Sequence, residues 1–202
     1  FGDWSSDVCS SDLPVRPGYQ VEPADVARGL PRAAKVFAAR GLQIASIAGS
    51  ADKSMVAACG EAGVRLIRIM APIDVKKGFR ASIDELRRVF DALLPDLERH
   101  GVTIGVQNHC DNFVGSAAGL LHLLGGDDPA RVAAVLDPAH CGLDGESEEI
   151  AIDMAWPQLA MVNLKNAYWQ MFGTAAVEPE WRKFWCPGHL GLRSWPAVVA
   201  EL

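Results

Sequence analysis

The chain has 202 residues, half of them hydrophobic and 22% charged, with a formal charge of −6. This composition suits one globular domain with a real core, and the acidic balance argues against a nucleic-acid binder, which usually carries a basic face. No apolar run approaches the ~20 residues of a membrane helix, and the start of the chain lacks the basic and apolar regions of a signal peptide. The five cysteines, Cys9, Cys59, Cys110, Cys141 and Cys186, are scattered and form no CxxC pair. A reduced, cytoplasmic compartment is the simplest account, with the thiols serving as small buried residues.

The first element to explain is one to set aside. Asp7-Val8-Cys9-Ser10-Ser11-Asp12-Leu13 resembles the translation of a DNA-sequencing adapter read on the reverse strand. Residues 1–13 are therefore read as a non-native scar outside the core, and residues 14–202 as the domain. Pro23 to Arg40 reads as a helix with Leu30, Ala33, Ala34 and Phe37 on one face. Gly41 ends it, and Leu42 to Ala48 is a strand. Asp52 can cap a helix over Lys53 to Glu61, Gly63 ends that, and Val64 to Met70 is the next strand. Ser82-Ile83-Asp84-Glu85 has capping-box spacing, so a third helix is predicted to begin there, with Ile83, Leu86, Phe90, Leu93 and Leu97 as its apolar stripe. Gly101 ends it and Val102 to Val106 is a strand.

The alternation continues with helix Ser116 to Leu124, strand Ala133 to Leu136, helix Ser147 to Met154 and strand Met161 to Leu164. The last residues, Trp195 to Leu202, form an apolar helical pattern with no stop signal, so the chain reads as a fragment. Strands that follow helices at glycine imply parallel pairing and right-handed crossovers. Neither GxGxxG nor GxxxxGK[ST] occurs, which moves the expectation from an open nucleotide-binding sheet toward a barrel. Such a barrel, cut short, exposes strand edges, and aggregation is expected of the isolated chain.

Parity then selects candidate site residues. Along a barrel strand, alternate side chains face the interior. Gln107 and His109 share a parity opposite the greasy Val102, Ile104 and Val106. Asp137 lies opposite Ala134 and Leu136, and Asn163 and Lys165 lie opposite Val162 and Leu164. These side chains should converge at the strand C-terminal mouth, where such barrels carry their sites.

Asp137-x-x-His140 spans at most ~10 Å, so both side chains can meet one divalent ion or one substrate hydroxyl. Equally, Asp137 can accept backbone N–H groups while His140 is merely packed. Gln107 and Asn163 are neutral and suit a substrate hydroxyl. Lys165 can polarise a carbonyl, hold an anion or act as a base, or be a salt-bridged structural lysine. Trp156, Trp169, Trp181, Trp185 and Trp195 crowd the last third. Aromatic faces suit sugar rings at a mouth, but core or subunit packing is the expected role for most of them.

Gly105-Val106-Gln107-Asn108-His109, Val135-Leu136-Asp137-Pro138-Ala139-His140 and Val162-Asn163-Leu164-Lys165-Asn166 resemble three motifs of the xylose isomerase-like TIM barrels. These are the sugar phosphate isomerases and epimerases, related to endonuclease IV-type repair enzymes. The resemblance runs from about Gln43 to the end. It implies an α/β fold, an incomplete (β/α)8 TIM barrel with about strands 3 to 7 present. It also implies a site with one divalent metal and two proton-carrying carboxylates.

Here Gln107 stands where the family has a glutamate, and Asn163 where it has a histidine. Asp137 and His140 are kept. The resemblance thus implies a weakened site for a divalent ion (Mn, Zn, Mg or Co) on Asp137 and His140. His140 and Lys165 are the catalytic candidates, and Gln107, His109 and Asn163 the substrate contacts.

The first functional reading is a sugar phosphate isomerase or epimerase acting by proton transfer beside the carbonyl. The second is a non-catalytic or metal-free relative that binds a sugar, motivated by Gln107 and Asn163. A DNA-repair role ranks last, because the chemistry needs a richer cluster of ligands. The expected partner is a small-molecule sugar or polyol, with no nucleic acid and no membrane. A homo-oligomer stays open.

Overall fold

The computed structural model describes residues 9–173 and 178–202. Helices and parallel strands alternate along the chain: β1 (Cys9–Pro14), α1 (Val26–Ala38), β2 (Leu42–Ala48), α2 (Lys53–Ala62), β3 (Leu66–Met70), α3 (Phe79–His100), β4 (Thr103–Gln107), α4 (Ala117–Leu124) and β5 (Val132–Leu136). Then come α5 (Pro138–Leu143), α6 (Glu148–Ala155), β6 (Leu159–Val162), the strands β7 (Asn166–Phe172) and β8 (Glu180–Cys186), and α7 (Trp195–Glu201). Strand order follows chain order from β1 to β6, while β7 and β8 form a separate antiparallel pair. Among the described residues no helix is long and apolar enough to cross a membrane.

The chain divides into two compact units. The first holds the residues up to Ile69 together with Arg88–Gly105. In it β1 pairs with β2 and β2 with β3, both parallel. Gly41, Gly63 and Gly101 have φ of 69°, 74° and 61°. These left-handed values let a helix stop and a strand start with two or three residues between them, a turn that costs little only for glycine. Leu30, Ile47, Met55, Val56, Cys59, Ile67, Phe90 and Leu97 are buried in this unit.

Two expectations are corrected in the first half of the chain. Residues 1–13 were expected to stand outside the fold, yet Cys9–Pro14 forms β1 and Leu13 is buried. Parallel pairing is made by backbone groups, which any sequence carries, and a bulge between Ser11 and Asp12 absorbs the misfit. Residues 1–8 lie outside the described residues. Among the described residues the parallel strands therefore number six, where the sequence pattern indicated five.

The third helix starts at Phe79, before the predicted capping box. Ser82 sits inside the first turn, where its Oγ donates to the Gly78 carbonyl at 2.9 Å and accepts from the Asp74 amide at 3.1 Å. Its hydroxyl ties the preceding loop down instead of capping.

The second unit comprises Met70–Arg87 and Val106–Leu202. Its strands β5 and β6 pair in parallel. Ser116, Ser147 and Ser194 cap α4, α6 and α7, each accepting an amide from three residues on. Ala117, Leu136, Cys141, Ala151, Ile152, Ala155 and Val198 pack into one buried cluster. Cys59, Cys110 and Cys141 are buried free thiols, as small core residues should be.

Candidate functional site

The site lies wholly in the second unit, and its centre is Asp137. The strand β5 ends at Leu136, and Asp137 is the N-cap of α5, with Pro138 at the first helical position. Proline there already lacks the N–H that would go unpaired and has the helical φ built in. Asp137 Oδ1 accepts the Ala139 amide at 3.2 Å. Oδ2 is left facing three donors: Lys165 Nζ at 2.8 Å, Gln107 Nε2 at 2.8 Å and Asn163 Nδ2 at 3.1 Å. A carboxylate only accepts, so both amides must turn their NH2 groups toward it. Asp137 is 0% exposed, and burial pushes its carboxyl above the usual carboxylate range against the pull of Lys165.

His140 is likewise 0% exposed. Its Nδ1 accepts the backbone amide of Cys110 at 3.0 Å. The proton of the neutral ring must then sit on Nε2, 3.3 Å from Lys165 Nζ and 3.7 Å from Asp137 Oδ2. Burial, reinforced by the charge of Lys165, drives the His140 imidazole down to about 3, so the ring is neutral at ordinary pH. Two N–H donors thus stand 3.3 Å apart, with Asp137 Oδ2 2.8 Å from the lysine and 3.7 Å from the ring nitrogen.

His109 completes this side. Its ring lies 4.1 Å from that of His140, centroid to centroid, and its Nδ1 is 2.9 Å from the Cys110 carbonyl. A carbonyl only accepts, so Nδ1 carries the proton of the neutral ring and Nε2 keeps a lone pair.

All six residues singled out by parity and motif therefore meet: Gln107, His109, Asp137, His140, Asn163 and Lys165. Two contributors, Asn108 and Lys183, were missed, and Trp185 joins them from the tryptophans noted above. Asn108 is fully buried and clamps the Asp137 backbone, accepting its N–H at 2.7 Å and donating to its carbonyl at 3.1 Å. It also donates to the Gly115 carbonyl and to Cys141 Sγ. Strand parity alone turned it away from the mouth. It lies just past the end of β4, where alternation lapses.

Lys183 and Trp185 come from β8, which no periodic signal announced. In the β7–β8 register Ala167 faces Trp185, Trp169 faces Lys183 and Met171 faces Trp181, so these six share one face. From it Lys183 pairs with Asp111 and donates to Cys110 Sγ at 3.2 Å, and the Trp185 ring meets His140 edge-on at 5.0 Å. Lys165 Nζ lies 5.0 Å from the centre of the Trp185 ring. Beside Lys165 a cavity of about 280 Å³ opens between Trp185, Pro187, Gly188 and Trp195. The tryptophans are not core: Trp156, Trp169, Trp181 and Trp185 are all exposed in the chain. Trp169, Trp181 and Trp185 project from a two-stranded hairpin, which covers only part of each ring.

A divalent ion was expected on Asp137 and His140, and this donor set does not fit one. Asp137 supplies the single carboxylate, and its Oδ2 already receives an ammonium and two amides. His140 Nε2 carries a proton because Nδ1 is committed to Cys110. A doubly charged ion about 4 Å from an ammonium is repelled by roughly 8 kcal/mol at an effective dielectric of about 20. A second grouping, His109, Cys110 and His140, has ligand atoms within 4.8 Å of one another. It shares the His140 obstacle, the Lys183 ammonium sits on its sulfur, and burial raises the Cys110 thiol.

Residues 50–202 match the family of xylose isomerase-like TIM barrels. The chain belongs to that family. The parallel α/β arrangement is accordingly that of an incomplete TIM barrel. Among solved structures it is similar to a xylose isomerase domain protein from Planctomyces limnophilus, with a TM-score of 0.62, 17% identity, and coverage of 80% of this chain and 66% of that one. It is also similar to 3-keto-D-glucoside 4-epimerase from E. coli (TM-score 0.64, 10% identity, 79% of each chain). An L-ribulose 3-epimerase gives a TM-score of 0.60 at 20% identity, covering 79% of this chain and 60% of that one. No curated protein sequence matches. Identities this low establish the fold. This xylose isomerase-like chain spans about two thirds or less of the first and third of these relatives.

Proposed function

We propose that this xylose isomerase-like chain serves an isomerase or epimerase that moves a proton beside the carbonyl of a small sugar or sugar phosphate. The carrying observation is the adjacent pair of donors, His140 Nε2 and Lys165 Nζ, 3.3 Å apart. A substrate carbonyl oxygen placed between them accepts from both. As the neighbouring carbon loses its proton, negative charge builds on that oxygen, and preorganised donors there stabilise the enediolate. His140 acts as a neutral donor, because its lone pair is spent on the Cys110 amide. His109, whose Nε2 keeps a lone pair, takes the proton and returns it to the neighbouring carbon, which interconverts aldose and ketose. Gln107 and Asn163 hold the Asp137 carboxylate, which in turn fixes the Lys165 ammonium. Trp185 and the adjoining cavity offer a flat wall for a sugar ring. The epimerase names among the structural relatives agree with this reading.

The test is incubation of the full-length protein with ketoses in deuterated water. Deuterium should enter at the carbon beside the carbonyl, and His109→Ala should slow the exchange by about 10²–10⁴-fold. No uptake with any sugar, with or without manganese, sinks the proposal. A second reading, a sugar-binding relative without catalysis, is favoured by one observation: Gln107 and Asn163 are both occupied on Asp137, so a single carboxylate remains at the centre. Sugar binding without exchange would select it. For the rest of the assignment, the free thiols suit a cytoplasmic location, a homo-oligomer is consistent with the exposed tryptophans, and the native domain is taken to start at residue 14.

A further inference from the structure

We infer that the ammonium of Lys165 is the built-in cation of this site, taking at Asp137 the place a divalent ion would need, and that the site binds a small dioxygen anion without metal. The inference deepens the proposed function and rests on its placement of a ligand oxygen between Lys165 and His140. Its basis is the direction of every donor around Asp137 Oδ2.

An ion-binding pocket turns oxygens inward. Here nitrogens turn inward: Lys165 Nζ at 2.8 Å, Gln107 Nε2 at 2.8 Å and Asn163 Nδ2 at 3.1 Å. Two of them are amides that would have to flip before offering a carbonyl oxygen to a metal. The ring nitrogen nearest that oxygen, His140 Nε2 at 3.7 Å, carries a proton, since Nδ1 takes the Cys110 amide at 3.0 Å. Asp137 is paired with Lys165, Lys183 is paired with Asp111, and the His140 Nδ1 is spent on the Cys110 amide. The centre is thus already neutral without an added ion.

The same geometry names the ligand. Lys165 is 37% exposed along its side chain, so its ammonium reaches from the buried carboxylate toward the open side of the site. There it stands next to the His140 Nε2–H and over the Trp185 ring. An exposed ammonium over an aromatic face, with the buried His140 Nε2–H 3.3 Å behind it, suits a planar anion with neighbouring oxygens, such as an enediolate or its stable mimic oxalate.

The experiment uses the full chain. After treatment with EDTA and buffer exchange it is equilibrated with Mn²⁺, Co²⁺ or Zn²⁺, and bound metal is measured by mass spectrometry and by the manganese resonance. Substoichiometric metal is expected. One tight ion per chain that disappears in Asp137→Asn or His140→Asn overturns the inference. Oxalate affinity is then measured by calorimetry with EDTA present. Lys165→Met should bind at least about tenfold more weakly than the unaltered protein, with partial recovery in Lys165→Arg. Equal affinity in Lys165→Met, or no oxalate binding by the metal-free protein, overturns it as well. Circular dichroism verifies each variant's fold. If Lys165→Met does not fold, Lys165→Gln takes its place, and the metal measurement on the unaltered chain decides by itself. A protein that stays metal-free and holds oxalate through Lys165, yet exchanges no deuterium, keeps this inference and loses the catalytic one.

Discussion

Lys165 Nζ stands 2.8 Å from Asp137 Oδ2, an ammonium partly in solvent resting on a carboxylate that is wholly buried. Removing one partner of a buried pair costs about 3–5 kcal/mol because it strands the other charge. Solvent screens the exposed lysine, so a smaller loss, about 1–3 kcal/mol, is expected for Lys165→Met in urea unfolding. The double variant with Asp137→Asn should recover part of that loss, since no bare carboxylate is left. A double variant that is less stable than the two single losses added together would contradict this account of the pair.

Asn108 should matter to stability more than any predicted contact residue. Its side chain donates to two carbonyls and accepts the Asp137 amide; the two bonds to Asp137 are buried and the one to Gly115 is partly so. Asn108→Ala strands these groups, and a loss of about 2–4 kcal/mol follows from the cost of unpaired buried polar groups. Denaturant midpoints measure it. A loss under about 1 kcal/mol would mean that water replaces the amide at no cost.

Acid should weaken the fold through His140. Its imidazole sits at about 3 when folded, against 6.5 for an ordinary histidine, so the unfolded chain binds more protons between these values. Stability is therefore whole above pH 6.5 and falls as pH drops toward 3. The His140 share of that fall is roughly 2–3 kcal/mol between pH 7 and 4.5. Asp137, raised by burial, works in the opposite sense: its protonation on acidification favours the folded state. In His140→Asn, which keeps an acceptor for the Cys110 amide, the pH slope of the unfolding free energy should flatten. An unchanged slope would mean that His140 is charged in the folded protein.

The segment after β8 depends on one glycine. Gly191 has φ of 119°, and a Cβ there would lie 2.5 Å from Asn166 Oδ1 and 2.8 Å from the Ala167 carbonyl. Asn166 staples this segment by donating to the Gly188 and Arg193 carbonyls, and Trp195 Nε1 donates to the Lys165 carbonyl. Gly191→Ala should cost about 1–3 kcal/mol through strain and loss of the staple. Tryptophan fluorescence should report the shift of Trp195, and an unaltered melting temperature would refute this reading.

What local pattern can carry, the chain carried plainly. Glycine at the end of a helix followed by an apolar run announced Leu42–Ala48, Leu66–Met70 and Thr103–Gln107, because φ and alternation are properties of neighbouring residues. Parity at strand ends picked Gln107, Asp137, Asn163 and Lys165, since a barrel strand can turn a polar residue only toward its mouth or into its helices. The hairpin β7–β8 escaped notice because its pattern is aromatic on both faces, as Tyr168 and Phe184 stack opposite the tryptophan side. Lys183 escaped with it, and so did the position of Trp185 against His140.

The sequence by itself determined the alternating parallel architecture and which polar residues gather at the strand ends. Only the tertiary structure decided what they do there. The amide of Cys110, thirty residues from His140 along the chain, sets which ring nitrogen bears the proton. The approach of Lys165 to Asp137, from the following strand's end, sets which cation the carboxylate holds. Proton placement and ion pairing depend on distances of about 3 Å between groups far apart in sequence, and no periodicity along a chain encodes such distances.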